Sequence, residues 1–274
     1  ALAEGVIDPL KSIYSSGSIS IPNPYYPELK STFYDWKAHG YVDMREAIAV
    51  SSDVYFYEIS GGFEDQKGIG IANIDKYSKL FAIGEPTGIN VPEEADGVIP
   101  TPEWKSKVFK GDVWRVGDTY NTSIGQYGYQ VTPIQMVRAV SALANKGDLI
   151  VPTLVKDEVG EKTKIENFSE EMYKIVHEGM RMTVTEGTAQ ILNTGAVNIA
   201  AKTGTAQVGI SKSRINSWSV GFFPYEKPQY AFAILLESGP AENGVSASFA
   251  FRKAIDKLNL EYPEFFESIL AKSL

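Results

Sequence analysis

The chain has 274 residues, 43% of them apolar, enough to bury one large core and remove roughly three quarters of the unfolded surface from water. Its net charge of −8 and the lack of any basic run exclude a nucleic-acid surface. No apolar stretch approaches the roughly 20 residues of a bilayer span, and with no cysteine and only His39 and His177, disulfides, thiolate chemistry and His-rich metal centres drop out.

Ala1–Gly5 reads as the last turn of a helix: no start signal precedes Leu2 and Ala3, and Gly5 suits the left-handed residue that closes one. On this reading the sequence begins in mid-element. Tyr14–Leu29, rich in Ser, Pro, Tyr and Gly, is too polar and punctuated for regular structure. Asp43-Met-Arg-Glu46 has capping-box spacing and opens a short helix through Ala49. Ser51-Ser52-Asp53 interrupts it, and Val54–Ile59 resumes an apolar helical segment. Asn73–Ile83 is helical by period and stops at Gly84. Residues 85–130, rich in Gly, Pro, Asp and Trp, predict a long irregular region with short turns, usually a mark of function or a binding surface.

Thr132-Pro-Ile-Gln135 is a helix start with threonine cap and proline at the first position, and that helix ends at Gly147. Asn167-Phe-Ser-Glu170 opens another, continued by Met172, Ile175, Val176 and Met180. From Val197 the apolar period changes to 2, predicting strands at Val197–Val208, Ser217–Phe223 and Tyr230–Glu237, then a helix over Val245–Leu258. Helices, then an antiparallel meander, then a helix is an α+β order: an antiparallel sheet flanked by helices, in one domain over 1–274.

Two segments carry candidate chemistry. Ser51-Ser52-Asp53 sits at the helix break, where Ser51 could pass a proton and Asp53 accept substrate amide hydrogens; ordinary capping explains the same residues. Lys202-Thr-Gly-Thr205 ends an apolar strand. There Lys202 could stabilise developing negative charge or bind a carboxylate, Thr203 and Thr205 add hydroxyls, and Gly204 clears space for a ligand. A strand-end lysine facing solvent is the alternative. No lysine has a serine three residues before it, Thr153-Leu-Val-Lys156 being the nearest approach, and no Gly-x-Ser-x-Gly elbow occurs. A serine nucleophile activated by a lysine one helical turn away is therefore absent from these residues. Asp35 and His39 share the spacing of a metal-binding pair, but without a third clustered ligand no metal site is expected. His177 reads as a surface or boundary residue, Tyr55, Phe56 and Tyr57 as core, and Trp104 and Trp114 as either lining or covering a cleft.

The sequence resembles the transpeptidase domain of class B penicillin-binding proteins, most like the penicillin-binding protein 2 branch. The likeness rests on short matches in family order: Ala1–Asp8, Phe33-Tyr-Asp-Trp-Lys37, Ser51–Tyr57, Glu85–Gly88, Pro102–Lys105, Ile124–Gln126, Val131–Pro133, Thr185–Ala189, Lys202–Gln207 and Trp218 with Gly221-Phe222. It implies a penicillin-binding/serine β-lactamase-like fold whose N-terminal part, including the nucleophilic serine and its lysine, is missing here. It also implies peptidoglycan D,D-transpeptidation through a serine acyl-enzyme, with stem peptides and β-lactams as ligands. Ser51, Lys202 and Thr205 would be catalytic, and Asp53, Thr203, Gly204 and Thr205 would bind substrate; no cofactor is implied. Work at the outer face of the cytoplasmic membrane, beside elongation-machinery membrane proteins, is implied too. A non-catalytic stem-peptide or cell-wall binder, and a serine β-lactamase or penicillin sensor, are the competing readings.

Overall fold

The computed structural model describes residues 1–209, 213–242 and 244–271. Two small antiparallel pairs open it: β1 (Ile13–Ser15) with β4 (Gly40–Val42), and β2 (Ser18–Pro22) with β3 (Lys30–Tyr34). These strands replace the loop expected over Tyr14–Leu29. One alternating pair is enough to seat the hairpin: Ile19 lies opposite Phe33, and Ile19 packs with Val54, Tyr57 and Tyr120. Helices α1 (Met44–Val50) and α2 (Asp53–Gly61) follow, split at Ser51-Ser52 as the sequence implied, and the Asp43/Glu46 capping box opens α1. Then come α3 (Gly70–Leu80), α4 (Pro102–Val108), α5 (Val116–Ser123) and α6 (Pro133–Ala144).

Helices α4 and α5 correct the irregular reading of residues 85–130. Thr101 caps α4 by accepting from the Trp104 N–H, and Pro102 occupies its first turn. Asp118 receives the Arg115 N–H at the start of α5. After the short pair β5 (Asp148–Ile150) and β6 (Lys162–Lys164) comes α7 (Glu170–Thr185), capped by Ser169 rather than Asn167. The expected meander follows as β7 (Ala200–Val208), β8 (Arg214–Phe223) and β9 (Tyr230–Pro240), paired antiparallel in that order. Two helices close the described residues, α8 (Ala247–Glu261) and α9 (Pro263–Ala271); the second starts at a proline and buries Phe266 and Ile269.

The sheet is buried on both faces, and the period of 2 assigns them. Ala200, Val220, Phe222, Ala231 and Ala233 meet α1, α6 and α7 through Ile48, Val140, Ala144, Ile175 and Met180. Ala201, Phe223, Phe232 and Ile234 meet α8 and α9 through Phe251, Ile255, Phe266 and Ile269. This helix–sheet–helix sandwich brings the end of α1 beside the middle of β7.

Candidate active site

The α1–α2 junction divides its three polar residues between different tasks. Ser52 is the cap: it is buried, extended (φ −74°, ψ 109°), and its hydroxyl accepts from the Tyr55 N–H at 3.4 Å. Ser51 is not a cap for α2; it ends α1 in the left-handed conformation, φ 58° and ψ 53°. Asp53 is the first residue of α2.

A carboxylate that sequence reasoning weighed only as a metal ligand holds this junction. Asp35 has no exposed side-chain surface. Its Oδ2 accepts from Ser15 Oγ at 3.1 Å, Ser52 Oγ at 2.9 Å and the Val54 N–H at 3.0 Å; its Oδ1 accepts from the Trp36 N–H at 2.8 Å. Ser52 Oγ and Ser15 Oγ also lie 3.0 Å apart. His39 Nε2 stands 3.4 Å from Asp35 Oδ1, beyond a good hydrogen bond. Among the described residues no group of three or more His, Asp or Glu converges as a metal set.

The Lys-Thr-Gly strand supplies the opposing wall. Ala200 and Ala201 are fully buried, and β7 then emerges from the core so that Lys202 is half-buried opposite Val220. Lys202 Nζ donates to Ser51 Oγ at 2.6 Å and to the Thr203 carbonyl at 3.0 Å. This contact joins residues 151 positions apart in sequence. Burial pushes the Lys202 ammonium down to about 8, against the attraction of Asp53. Burial also pushes Asp53 up to about 7; the charge of Asp35 adds to this and that of Lys202 opposes it. Both groups are thus brought toward the range where a proton can be gained or lost near neutrality.

A loop absent from the expected site residues braces the two walls. The Thr188 N–H donates to Ala49 O at 3.1 Å, near the end of α1, and its hydroxyl lies 2.6 Å from that of Thr203 on β7. Gly187 packs so closely that a Cβ there would fall 2.1 Å from Ala49 O. The sequence signal was Thr185–Ala189, which figured only in the resemblance. Gly204, by contrast, has ordinary room: a Cβ would meet only Trp218 Cβ, at 3.4 Å. Nothing inside the described chain demands a glycine there. Thr205, exposed and opposite Ser217, completes the open end of the motif.

The remaining candidates are packing residues. His177 is buried, with Nε2 at 2.8 Å from Leu143 O and its ring against Phe222, so the surface reading is corrected: α7 turns that face onto the sheet. Tyr55 and Tyr57 are core and Phe56 is half-buried. Trp104 and Trp114 gather with Phe109 around Tyr127, beside the buried Lys105, which pairs with Asp112 and Asp118.

With this geometry in place, comparison with known proteins decides the family. The penicillin binding protein transpeptidase domain family matches residues 1–256. The chain belongs to that family. The peptidoglycan D,D-transpeptidase MrdA of Salmonella typhimurium is 32% identical over 287 residues, covering 94% of this chain and 44% of that protein. Penicillin-binding protein 2 (PBP2) of Helicobacter pylori, solved in complex with MreC, superposes with a TM-score of 0.78 at 28% identity, over 95% of this chain and 48% of that one. PBP2 of Pseudomonas aeruginosa, solved with WCK 5153, gives 0.76 at 30% identity, over 94% and 57%. The domain is therefore of the PBP2/MrdA type, with the mixed helix and antiparallel-sheet fold of these enzymes. It spans less than half the length of such curated relatives.

Proposed function

We propose that this chain is the Ser-x-Asp and Lys-Thr-Gly portion of a peptidoglycan D,D-transpeptidase that works outside the cytoplasmic membrane. The observation that carries the reading is the 2.6 Å contact of Lys202 Nζ with Ser51 Oγ. It couples a hydroxyl that can pass a proton to an ammonium whose pKa has been lowered enough to exchange one. No Ser-x-x-Lys occurs in these 274 residues, so in this reading the attacking serine comes from another part of the protein and this chain alone is expected to be inactive.

That serine gives its proton to its own lysine one helical turn away as it attacks the D-Ala-D-Ala carbonyl of one stem peptide, and Ser51, in contact with Lys202, relays a proton from that lysine to the D-Ala amine as the carbonyl–nitrogen bond breaks. The amine of a second stem peptide then attacks the acyl-enzyme and loses its proton along the same path. Lys202 also attracts the substrate's terminal carboxylate, with the Thr203 and Thr205 hydroxyls beside it. The Thr205 N–H contributes half of an oxyanion hole, and Asp53 receives an amide of the donor peptide. Two features support this assignment. Gly204 is a glycine without internal need for one, as expected where a ligand approaches the backbone. In addition, β7 is the outer strand of the sheet β7-β8-β9, so its far side can accept an extended peptide. By likeness to the PBP2 that was solved with MreC, the whole protein acts with membrane-associated partners of wall elongation. The relatives' names favour transpeptidation over a β-lactamase or a mere binder.

The test is covalent labelling by a fluorescent penicillin. The full-length protein is expected to take up one label on a serine outside these residues, and this chain alone none. A full-length protein that stays unlabelled refutes the reading.

A further inference from the structure

Ser51 is a serine where the backbone favours glycine. Its φ of 58° and ψ of 53° strain an L-residue, yet a side chain is required here, because its hydroxyl meets Lys202. The same turn ends α1, whose last carbonyls have no donor within the helix. Trp36 supplies one: its indole N–H is shared between Val50 O at 3.1 Å and Ser51 O at 3.2 Å.

The indole is itself held in place. Its own backbone N–H is tied to Asp35, the His39 ring packs edge-on with centroids 5.2 Å apart, and the Lys37 ammonium lies 4.6 Å over its face. Trp36 is 57% exposed, so filling the core does not explain a tryptophan at this place. Its neighbours grip the same junction. Tyr57 Oη donates to Tyr34 O at 3.1 Å, and Asp35 takes the Val54 N–H. Residues 35 and 36 therefore clasp the α1–α2 turn while residue 34 holds α2 just beyond it, and Trp36 grips the strained point.

We propose that Trp36 is a positioning residue: by bonding the Val50 and Ser51 carbonyls, it keeps Ser51 in the left-handed turn that aims its hydroxyl at Lys202. The inference rests on the transpeptidase reading for its consequence on rate, but not for its consequence on Lys202. Trp36→Phe keeps the exposed ring and deletes the N–H, so the full-length variant is expected to fold. Two quantities are read on it: the titration midpoint of Lys202, by trace acetylation and mass spectrometry of its peptide, and the second-order rate of labelling by fluorescent penicillin.

The Lys202 midpoint is expected to fall by about half a pH unit or more, because the ammonium loses the Ser51 oxygen. Labelling is expected to slow about ten- to a hundredfold, the effect of misplacing a catalytic group by about an ångström. A folded variant in which neither quantity changes overturns the proposal and leaves Trp36 a plain helix cap. Where the parent itself takes no label, the transpeptidase reading fails, and the Lys202 midpoint alone decides whether Trp36 positions Ser51.

Discussion

The two walls of the candidate site are built in opposite ways. Lys202 stands in an unbroken antiparallel ladder, where its place follows from main-chain pairing with β8 that a change of side chain would leave standing. Ser51 stands at a break between helices, in a conformation its residue type resists, at a junction held by side chains just past the end of β3. A repeating element can deliver a charge with little help. The hydroxyl that must meet the charge needs a single, specific turn, and much of the polar chemistry nearby maintains that turn.

The sharpest way to separate the walls is to remove the charge. Lys202→Ala is expected to slow penicillin labelling of the full-length protein about 10²–10³-fold, the usual loss on removing one electrostatic stabiliser. Its circular dichroism should be unchanged, and Lys202→Arg should not restore the rate, since the planar guanidinium cannot stand in for a compact ammonium. The matching change on the junction side is Asp35→Ala, which strands the donors of Ser15, Ser52 and Val54. It should cost about 3 kcal/mol in urea unfolding. A loss of stability no greater than that of Lys202→Ala would erase the distinction drawn between the walls.

Proton linkage gives a smaller, signed effect. Asp53, raised to about 7, holds its proton more tightly in the folded state than in the unfolded chain. Its contribution to stability is full below about pH 4 and is lost as pH rises through about 7. Over that interval the parent should lose about 1–2 kcal/mol more stability than Asp53→Asn, the shift being discounted for partial exposure. Parallel pH–stability curves would remove Asp53 from the account. The mildest change is Thr188→Val, which keeps the N–H bond to Ala49 and deletes the hydroxyl contact with Thr203. It should weaken the brace by about 1 kcal/mol, seen as roughly fivefold slower labelling.

The same contrast governs what could be read in advance. Elements with local signals were legible: the Asp43/Glu46 box, the Thr132-Pro start of α6, and the alternating strands that carry Lys202. Lys202 and Ser51 were selected from their motifs one at a time, and their contact is a tertiary fact that neither motif states. Trp36 was visible only as part of a matched string, and Asp35 only there and as half of a metal-binding spacing, because their work is done on residues 14 to 19 positions away. His177 was misjudged because its ring lies on an otherwise mixed helix, and only the packing of α7 on β8 shows that it is buried. Helix α9 was missed although Pro263 marks its start, since the chain after Leu258 has few apolar residues until Phe265 and Phe266.

One consequence of β7 concerns solubility. An outer strand with a free side recruits any extended chain, including another copy of the same protein. Ala206 and Val208 apart, this one emerges from the core as Thr203, Gly204, Thr205 and Gln207, with Thr205 and Gln207 exposed to water. Apolar side chains in those places would make the edge adhesive. Hydroxyls and an amide keep it wettable, and under the proposed function they would leave a visiting peptide to be held by its backbone and its carboxylate rather than by grease.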